Sequence, residues 1–276
     1  LCIIDEASQM PPEDAIGAIA RATQVMVVGD TNQLPPTPFF QRFVDGGDDH
    51  EDGAPVEESI LELANGAFRP PRRLRWHYRS RHSALIQFCN REIYDDGLIV
   101  FPGADEAAPG AGVQLVPVAG YYKGSVNPVE AGVLVEHALR FMRARPDRSL
   151  GIVTLNQKQR ELIEAELAPH LAADPHARRY VAHWETHRGG LEKFFVKNLE
   201  NVQGDERDVI FIGTVYGPEQ PGAPVHARFG PINGQAGRRR LNVLLTRARH
   251  QLVTFSSMKP SDFPAGDRSN PGAAML

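Results

Sequence analysis

The chain reads as an α/β protein with a mostly parallel sheet flanked by helices, and three observations predict that class. Short continuous apolar runs rich in β-branched residues, at 25–28, 150–154 and 209–214, have the length and composition of strands buried on both faces. Stretches of helical length separate most of them, as right-handed crossovers between parallel strands require. The 276 residues, 42% of them apolar, suffice for a sizeable core and for more than one domain.

Taken in order, residues 1–4 (Leu-Cys-Ile-Ile) form a first buried strand. Residues 12–20 alternate polar and apolar at helical spacing and lead to the second strand at 25–28, closing a βαβ unit. Gly29 lets the backbone turn at that strand's end, and Pro35-Pro36 stop any helix. Between 45 and 58, Asp45, Asp48, Asp49, Glu51, Asp52, Glu57 and Glu58 stand among glycines and a proline, the composition of a solvated linker. A short helix at 58–64 leads out of it. Leu85, Ile86, Phe88, Cys89 and Ile93 then mark an amphipathic helix at 83–94. A strand at 113–118, a helix at 128–144, a strand at 150–154 and a helix at 157–167 follow, the last ended by Pro169. Residues 169–192 lack clear periodicity and read as a variable connection. Strands at 209–214 and 251–255 enclose an arginine-rich helix at 238–248. The tail, with Pro260, Pro264, Gly266, Pro271 and Gly272, has the composition of a linker.

Cys2 and Cys89 are the only cysteines, and neither sits in a metal-ligand pair, which favours a reducing compartment. With no signal peptide and no apolar run long enough to cross a bilayer, the expected location is cytoplasmic. His183 and His187 flank Trp184-Glu185-Thr186, but no further ligand-spaced Cys or His accompanies them to make a zinc site. Tyr121-Tyr122 reads as ordinary surface or core, and nothing in the sequence supports a platform for stacking on a base. The net charge of −4 carries no nucleic-acid signature. Arginines nevertheless concentrate in two stretches: Arg69, Arg72, Arg73, Arg75, Arg79 and Arg81, then Arg238, Arg239, Arg240, Arg247 and Arg249. Guanidinium groups meet phosphates by bidentate hydrogen bonds, although a solvated basic surface has the same composition.

The chemistry concentrates at strand ends. Asp5 and Glu6 directly follow the first apolar run, the arrangement by which a Mg²⁺-dependent nucleotide hydrolase holds its metal and orients water. Asp30 and Gln33 follow the second and would lie beside the acidic pair if the two strands are neighbours. A site of this kind also needs a phosphate loop of the form G-x-x-x-x-G-K-[ST], and none occurs in the 276 residues.

Five motifs in order now carry a resemblance. Asp5-Glu6-Ala7-Ser8 resembles the Walker B motif of superfamily 1 helicases, and Gly29-Asp30-Thr31-Asn32-Gln33-Leu34-Pro35-Pro36 resembles their motif III. The segments at 74–82, 202–208 and 239–249 resemble motifs IV, V and VI of the branch typified by the nonsense-mediated-decay helicase. The wording at 197–204 is similar to that of large bacterial multidomain members, many of which carry a restriction-endonuclease-like domain. The resemblance implies a RecA-like P-loop NTPase fold whose N-terminal RecA-like domain is truncated. Residues 1–44 would be the remnant of that domain, 45–70 an acidic linker with its helix, 71–260 the second RecA-like domain and 261–276 a C-terminal linker.

The implied function is the motor part of an ATP-dependent DNA or RNA helicase that translocates on single-stranded nucleic acid, DNA ahead of RNA. The implied cofactors are ATP and Mg²⁺. The alternatives are a translocase that powers an attached nuclease without unwinding, and a non-catalytic scaffold of helicase shape. Further partners would be the missing N-terminal half and a C-terminal nuclease domain, and the 276 residues alone should be inactive. By resemblance Asp5 binds the metal, Glu6 activates water, Gln33 senses the γ-phosphate, and Arg79 and Arg247 reach the nucleotide from the second domain. Glu206 would contact the ribose, while Asp30, Gln203 and Gly204 complete the nucleotide site. Taken alone, Arg247 could be the solvated side of a helix whose other face is Leu241, Val243, Leu244 and Leu245. The pattern departs from the family at several points. Tyr78 and Arg79 match motif IV, commonly Gln-Tyr-Arg-Met-His-Pro, but His77, Ser80, Arg81 and His82 differ. Asn198 and Glu200 replace the Thr and Asp that often open motif V. That leaves the strand-contacting role of Asn198 open.

Overall fold

A computed structural model describes residues 1–36, 59–104, 106–108, 110–226 and 229–263. The acidic stretch at 45–58 and the tail beyond 263 lie outside the described residues. The chain forms two compact units, Leu1–Leu74 and Arg75–Leu276.

In the first unit β1 (Cys2–Ile4) runs parallel to β2 (Val25–Val27), and α1 (Pro12–Ile19) makes the crossover. α1 starts on Pro12, whose missing N–H costs nothing in the first turn, with Glu13 and Asp14 complementing the helix dipole there. α2 (Ile60–Ala67) is capped by Ser59, whose hydroxyl accepts the Glu62 N–H at 3.4 Å. Ile4, Ala7, Ala15, Ile60 and Leu61 form the core of this unit. The two strands are not buried on both faces, contrary to the sequence expectation. Ile3 and Met26 pair across the ladder and are 59% and 53% exposed. Successive side chains alternate between faces, and among the described residues the helices cover only the face of Ile4 and Val27.

The second unit holds a five-stranded, wholly parallel sheet in the order β3-β7-β6-β4-β5, with helices on its faces, as the sequence predicts. Its strands are β3 (Gly112–Pro117), β4 (Leu150–Thr154), β5 (Phe195–Asn198), β6 (Arg207–Gly213) and β7 (Ala248–Ser256). The helices are α3 (Ala84–Ile93), α4 (Pro128–Ala144), α5 (Gln157–Ala173), α6 (Pro175–Thr186) and α7 (Gly234–Leu245). Leu134, Ala138, Met142, Ile163, Leu167, Tyr180 and Trp184 from α4, α5 and α6 pack on Ile152, Val209, Phe211, Val253 and Phe255 of the sheet. α3 packs on β3, β7 and α7, with Ile86, Cys89 and Ile93 at its centre. All seven residues of β6 are buried, as its central position in the sheet requires.

Several boundaries differ from the sequence reading, each for a physical reason. Pro169 does not end the helix: α5 continues to Ala173, because Leu171 carries its apolar stripe on past Ile163 and Leu167. The supposed variable connection contains α6, whose buried Ala177, Tyr180 and Trp184 fall at helical spacing behind Pro175. Asp174 closes α5 with its N–H to the His170 carbonyl and opens α6 by accepting the His176 N–H. β5 escaped the sequence reading because Phe-Val-Lys-Asn is too short and polar to stand out. The arginine-rich helix occupies Gly234–Leu245 rather than 238–248, and Ala248 already begins β7.

Candidate functional site

The ladder register of the first unit sets the acidic pair beside the second strand's end. The Val28 N–H donates to the Ile4 carbonyl at 2.8 Å and the Ala7 N–H to the Val28 carbonyl at 2.9 Å, so Asp5-Glu6 and Gly29-Asp30 are neighbours. A Cβ on Gly29 would meet Leu61 Cδ2 at 2.9 Å and the Ser8 and Ala7 nitrogens at 3.1 and 3.2 Å. Close approach, not a special turn angle, is what demands glycine there. Glu6 holds the left-handed conformation, φ 51°, which costs a non-glycine residue roughly 1–2 kcal/mol. Strain of that kind at a strand end is often found where a side chain must be presented for chemistry. Asp5 and Glu6 are exposed, and Asp5 Oδ1 accepts the Glu6 N–H at 2.9 Å. Their all-oxygen donor set fits Mg²⁺, which keeps several waters when few carboxylates bind it.

Asp30 organises the following turn. Its Oδ1 accepts the Asn32 N–H at 2.9 Å, and its Oδ2 accepts the Gln33 side-chain amide at 3.2 Å. The structure thus brings together Asp5, Glu6, Asp30 and Gln33 within the first unit. The Ser8 hydroxyl, almost fully buried, has no partner among the described residues.

The second unit assembles its candidates at the N-terminal edge of β6 and β7. Arg207 opens β6 and donates its N–H to the Arg247 carbonyl at 3.2 Å; the residues just before each strand, Glu206 and Arg247, are therefore adjacent. Arg79, far away in sequence, reaches the same edge and donates from Nε to Glu206 Oε2 at 2.8 Å. Both partners of this ion pair are half-buried. Arg247 lies two residues past the end of α7 and is 3% exposed, so the reading as a helix's solvated side does not hold. Its Nε donates to the Val243 carbonyl at 2.8 Å. Gly204 takes φ 83° in the turn from Val202 to Asp205, a conformation glycine adopts without penalty. Both amide atoms of neighbouring Gln203 are buried without a partner among the described residues.

Arg249 is a hub that the sequence reading named only within an arginine-rich stretch and its motif. It contacts Glu192 at 2.6 Å, Asp208 at 3.0 Å, the Ser149 hydroxyl at 3.3 Å and Glu206 at 3.7 Å. Burial opposes its charge, but the hydrogen bond to Glu192 and the fields of Asp208, Glu192 and Glu206 outweigh that and hold the guanidinium above its ordinary pKa. Glu192 escaped notice because it is the last residue of the stretch that showed no pattern.

The opposite, C-terminal edge carries neutral groups. Asn127 caps α4 through the Glu130 N–H at 3.1 Å, donates to the Ser257 hydroxyl at 2.9 Å and exchanges two hydrogen bonds with the Gln159 amide. Glu130 is fully buried and accepts the Val215 N–H at 2.8 Å and the Thr214 hydroxyl at 3.2 Å. Burial pushes its pKa up to about 8 against those hydrogen bonds and one from Gln159. Asn198 ends β5 beside Thr154 and donates to Gln157 at 3.2 Å. Tyr122 packs on Tyr216, whereas Tyr121 is 38% exposed. His183 and His187 each meet the Trp184 ring edge-on. Among the described residues no group of three or more His, Cys, Asp or Glu is placed to hold a metal ion, and no helix is long and apolar enough to cross a membrane.

The profile of a family described as AAA domain matches residues 114–259. The uncharacterized ATP-dependent helicase MG140 of Mycoplasma genitalium is 34% identical over 99% of this chain, which spans 24% of that protein's length. Regulator of nonsense transcripts 1 of Dictyostelium discoideum is 24% identical over 93% of this chain, which spans 18% of it. An arterivirus nonstructural protein 10 (helicase) solved with DNA is 16% identical, with TM-score 0.44, over 92% of this chain and 39% of that one.

Proposed function

Because this chain belongs to the AAA domain family and is similar over most of its length to ATP-dependent helicases, we propose that it is the C-terminal part of a superfamily 1 helicase motor. Residues 1–44 would belong to the first RecA-like lobe and 71–260 to the second. The phosphate loop would come from sequence outside these 276 residues, and the chain alone would not hydrolyse ATP.

The observation that carries the reading is the Arg79–Glu206 pair beside Arg247 at one sheet edge. Phosphoryl transfer places negative charge on oxygens in transit, so catalysis consists mainly of positioning and electrostatic stabilisation. Arg79 and Arg247 would meet that charge. Glu6 would orient the attacking water and take its proton. Asp5 would hold Mg²⁺, which when bound neutralises charge on the phosphate oxygens. Gln33, tied to Asp30, would report the γ-phosphate to the nucleic-acid side. Glu206, with Gln203 and Gly204, would line the ribose. Single-stranded nucleic acid, DNA ahead of RNA, would run along the C-terminal edge, where Tyr121 and Asn198 lie.

The test uses a protein carrying this sequence together with a phosphate loop. Single-strand-stimulated ATP turnover that depends on Glu6 supports the proposal, and its absence would leave a helicase-shaped scaffold. A strand-displacement assay alongside it separates an unwinder from a translocase, since turnover without displacement marks the latter.

A further inference from the structure

Motif IV of this chain departs from the pattern it resembles at His77 and Ser80, and those two residues contact each other. The His77 Nε2 lies 2.8 Å from the Ser80 hydroxyl and accepts the Ser80 backbone N–H at 3.1 Å. The ring thereby closes a turn around Tyr78 and Arg79. Both ends of that turn are fixed to the rest of the unit. The His77 N–H donates to the Ile99 carbonyl at 3.2 Å, and the Arg81 N–H donates to the Arg249 carbonyl at 2.7 Å, at the start of β7. Between the anchors Tyr78 is exposed, and Arg79 has Glu206 as its one partner among the described residues, through Nε alone. Neither terminal nitrogen of Arg79 has a hydrogen-bond partner among the described residues.

We propose that His77 and Ser80 are positioning residues that hold the Arg79 turn in the geometry needed for turnover, a role that rests on the reading of Arg79 as a nucleotide-site arginine. The chemistry of the ring suits it. Receiving the Ser80 N–H requires Nε2 to be unprotonated, so the proton sits on Nδ1. Burial and the adjacent Arg79 charge lower the His77 pKa to about 4, and the ring remains an acceptor near neutral pH. An amide oxygen at this position could accept the same N–H, whereas an aliphatic side chain of similar size could not. Misplacing a group that acts on the transition state by about 1 Å can cost roughly a hundredfold in rate. A long arginine on an unbraced turn is exposed to that loss.

ATP turnover in the phosphate-loop-containing protein tests the idea. His77→Leu is expected to lower kcat by roughly tenfold to a hundredfold with KM for ATP changed less than about threefold, and His77→Gln to recover most of that loss. Ser80→Ala, which keeps the backbone N–H, should cost only a few-fold. In an Arg79→Lys background the effect of His77→Leu should largely vanish, because the residue acts through the guanidinium. Undiminished kcat in His77→Leu, no rescue by glutamine, or full additivity with Arg79→Lys would each overturn the proposal. Should His77→Leu fail to fold, His77→Gln and Ser80→Ala still decide it: a deep loss in both, with KM raised alongside, is the mark of a purely structural role. An inactive parent protein would instead sink the motor reading itself, a different and distinguishable result.

Discussion

The two ends of the parallel sheet in the second unit are built from opposite chemistries. At the start of β6 and β7, Arg79, Glu206, Arg249, Asp208 and Glu192 form a chain of charges, half-buried at Arg79, Glu206 and Arg249 and buried at Asp208 and Glu192. Where the same strands finish, Asn127, Gln159, Thr214, Ser256 and Ser257 form a buried lattice of amides and hydroxyls around one carboxyl, Glu130. Charges near solvent keep their neighbours exchangeable, because a phosphate can take the place of a carboxylate as a guanidinium's partner. Neutral groups buried in mutual hydrogen bonds cannot be exchanged without leaving donors and acceptors unsatisfied, and they fix the strand ends rigidly. One edge offers charges that can be exchanged, the other holds its shape.

The sharpest way to break that contrast is Arg79→Ala. In a protein with a phosphate loop it should lower kcat by about 10³-fold or more while nucleotide binding, followed by a fluorescent analogue, stays within a few-fold. A small effect would deny the charged edge its role. The next effect belongs to the other edge. Glu130 has a folded pKa of about 8, above its ordinary 4.5, so between those values the native state holds a proton that the unfolded chain has released. Stability should be full below about pH 4.5 and should fall as pH rises toward 8. Glu130→Gln keeps an acceptor for the Val215 N–H and should flatten that slope. It should also raise stability at pH 8 by on the order of a few kcal/mol, as read from urea denaturation at pH 5 and pH 8.

Smaller still is Asn127→Ala, which uncaps α4 and strands the Gln159 and Ser257 groups. A loss of about 1–3 kcal/mol in the same denaturation experiment is expected, with no compensating gain at any pH. The control is Arg140→Ala, which removes an exposed pair with Glu136 on α4 and belongs to neither edge. Its stability should match the parent within about 0.5 kcal/mol.

How much of this was legible beforehand depends on range. Elements defined by their own periodicity were readable: the helix at 128–144 and the strand at 150–154 match residue for residue. The helix α6 was also written in the sequence, through Asp174-Pro175 and the spacing of Ala177, Tyr180 and Trp184, but the polar residues between them masked it. Pro169 misled because local propensity was weighed without the packing of Leu171 that overrides it. Of the candidate site, the motif strings supplied residue names, not partners. Nothing in the string around Arg79 says that Glu206 is its acceptor, or that the Arg81 N–H meets the Arg249 carbonyl. Those facts depend on where the sheet order brings distant segments, and sheet order leaves no local trace in composition.

The Arg79–Glu206 contact joins residues separated by 127 positions in the chain. Closing so long a loop carries an entropic cost that neither residue can repay before the strands between them have docked. During synthesis the arginine emerges long before its acceptor, so this contact forms only after most of the unit has been made. A nascent or partly refolded chain would therefore display native helices and strands while still lacking this charged contact.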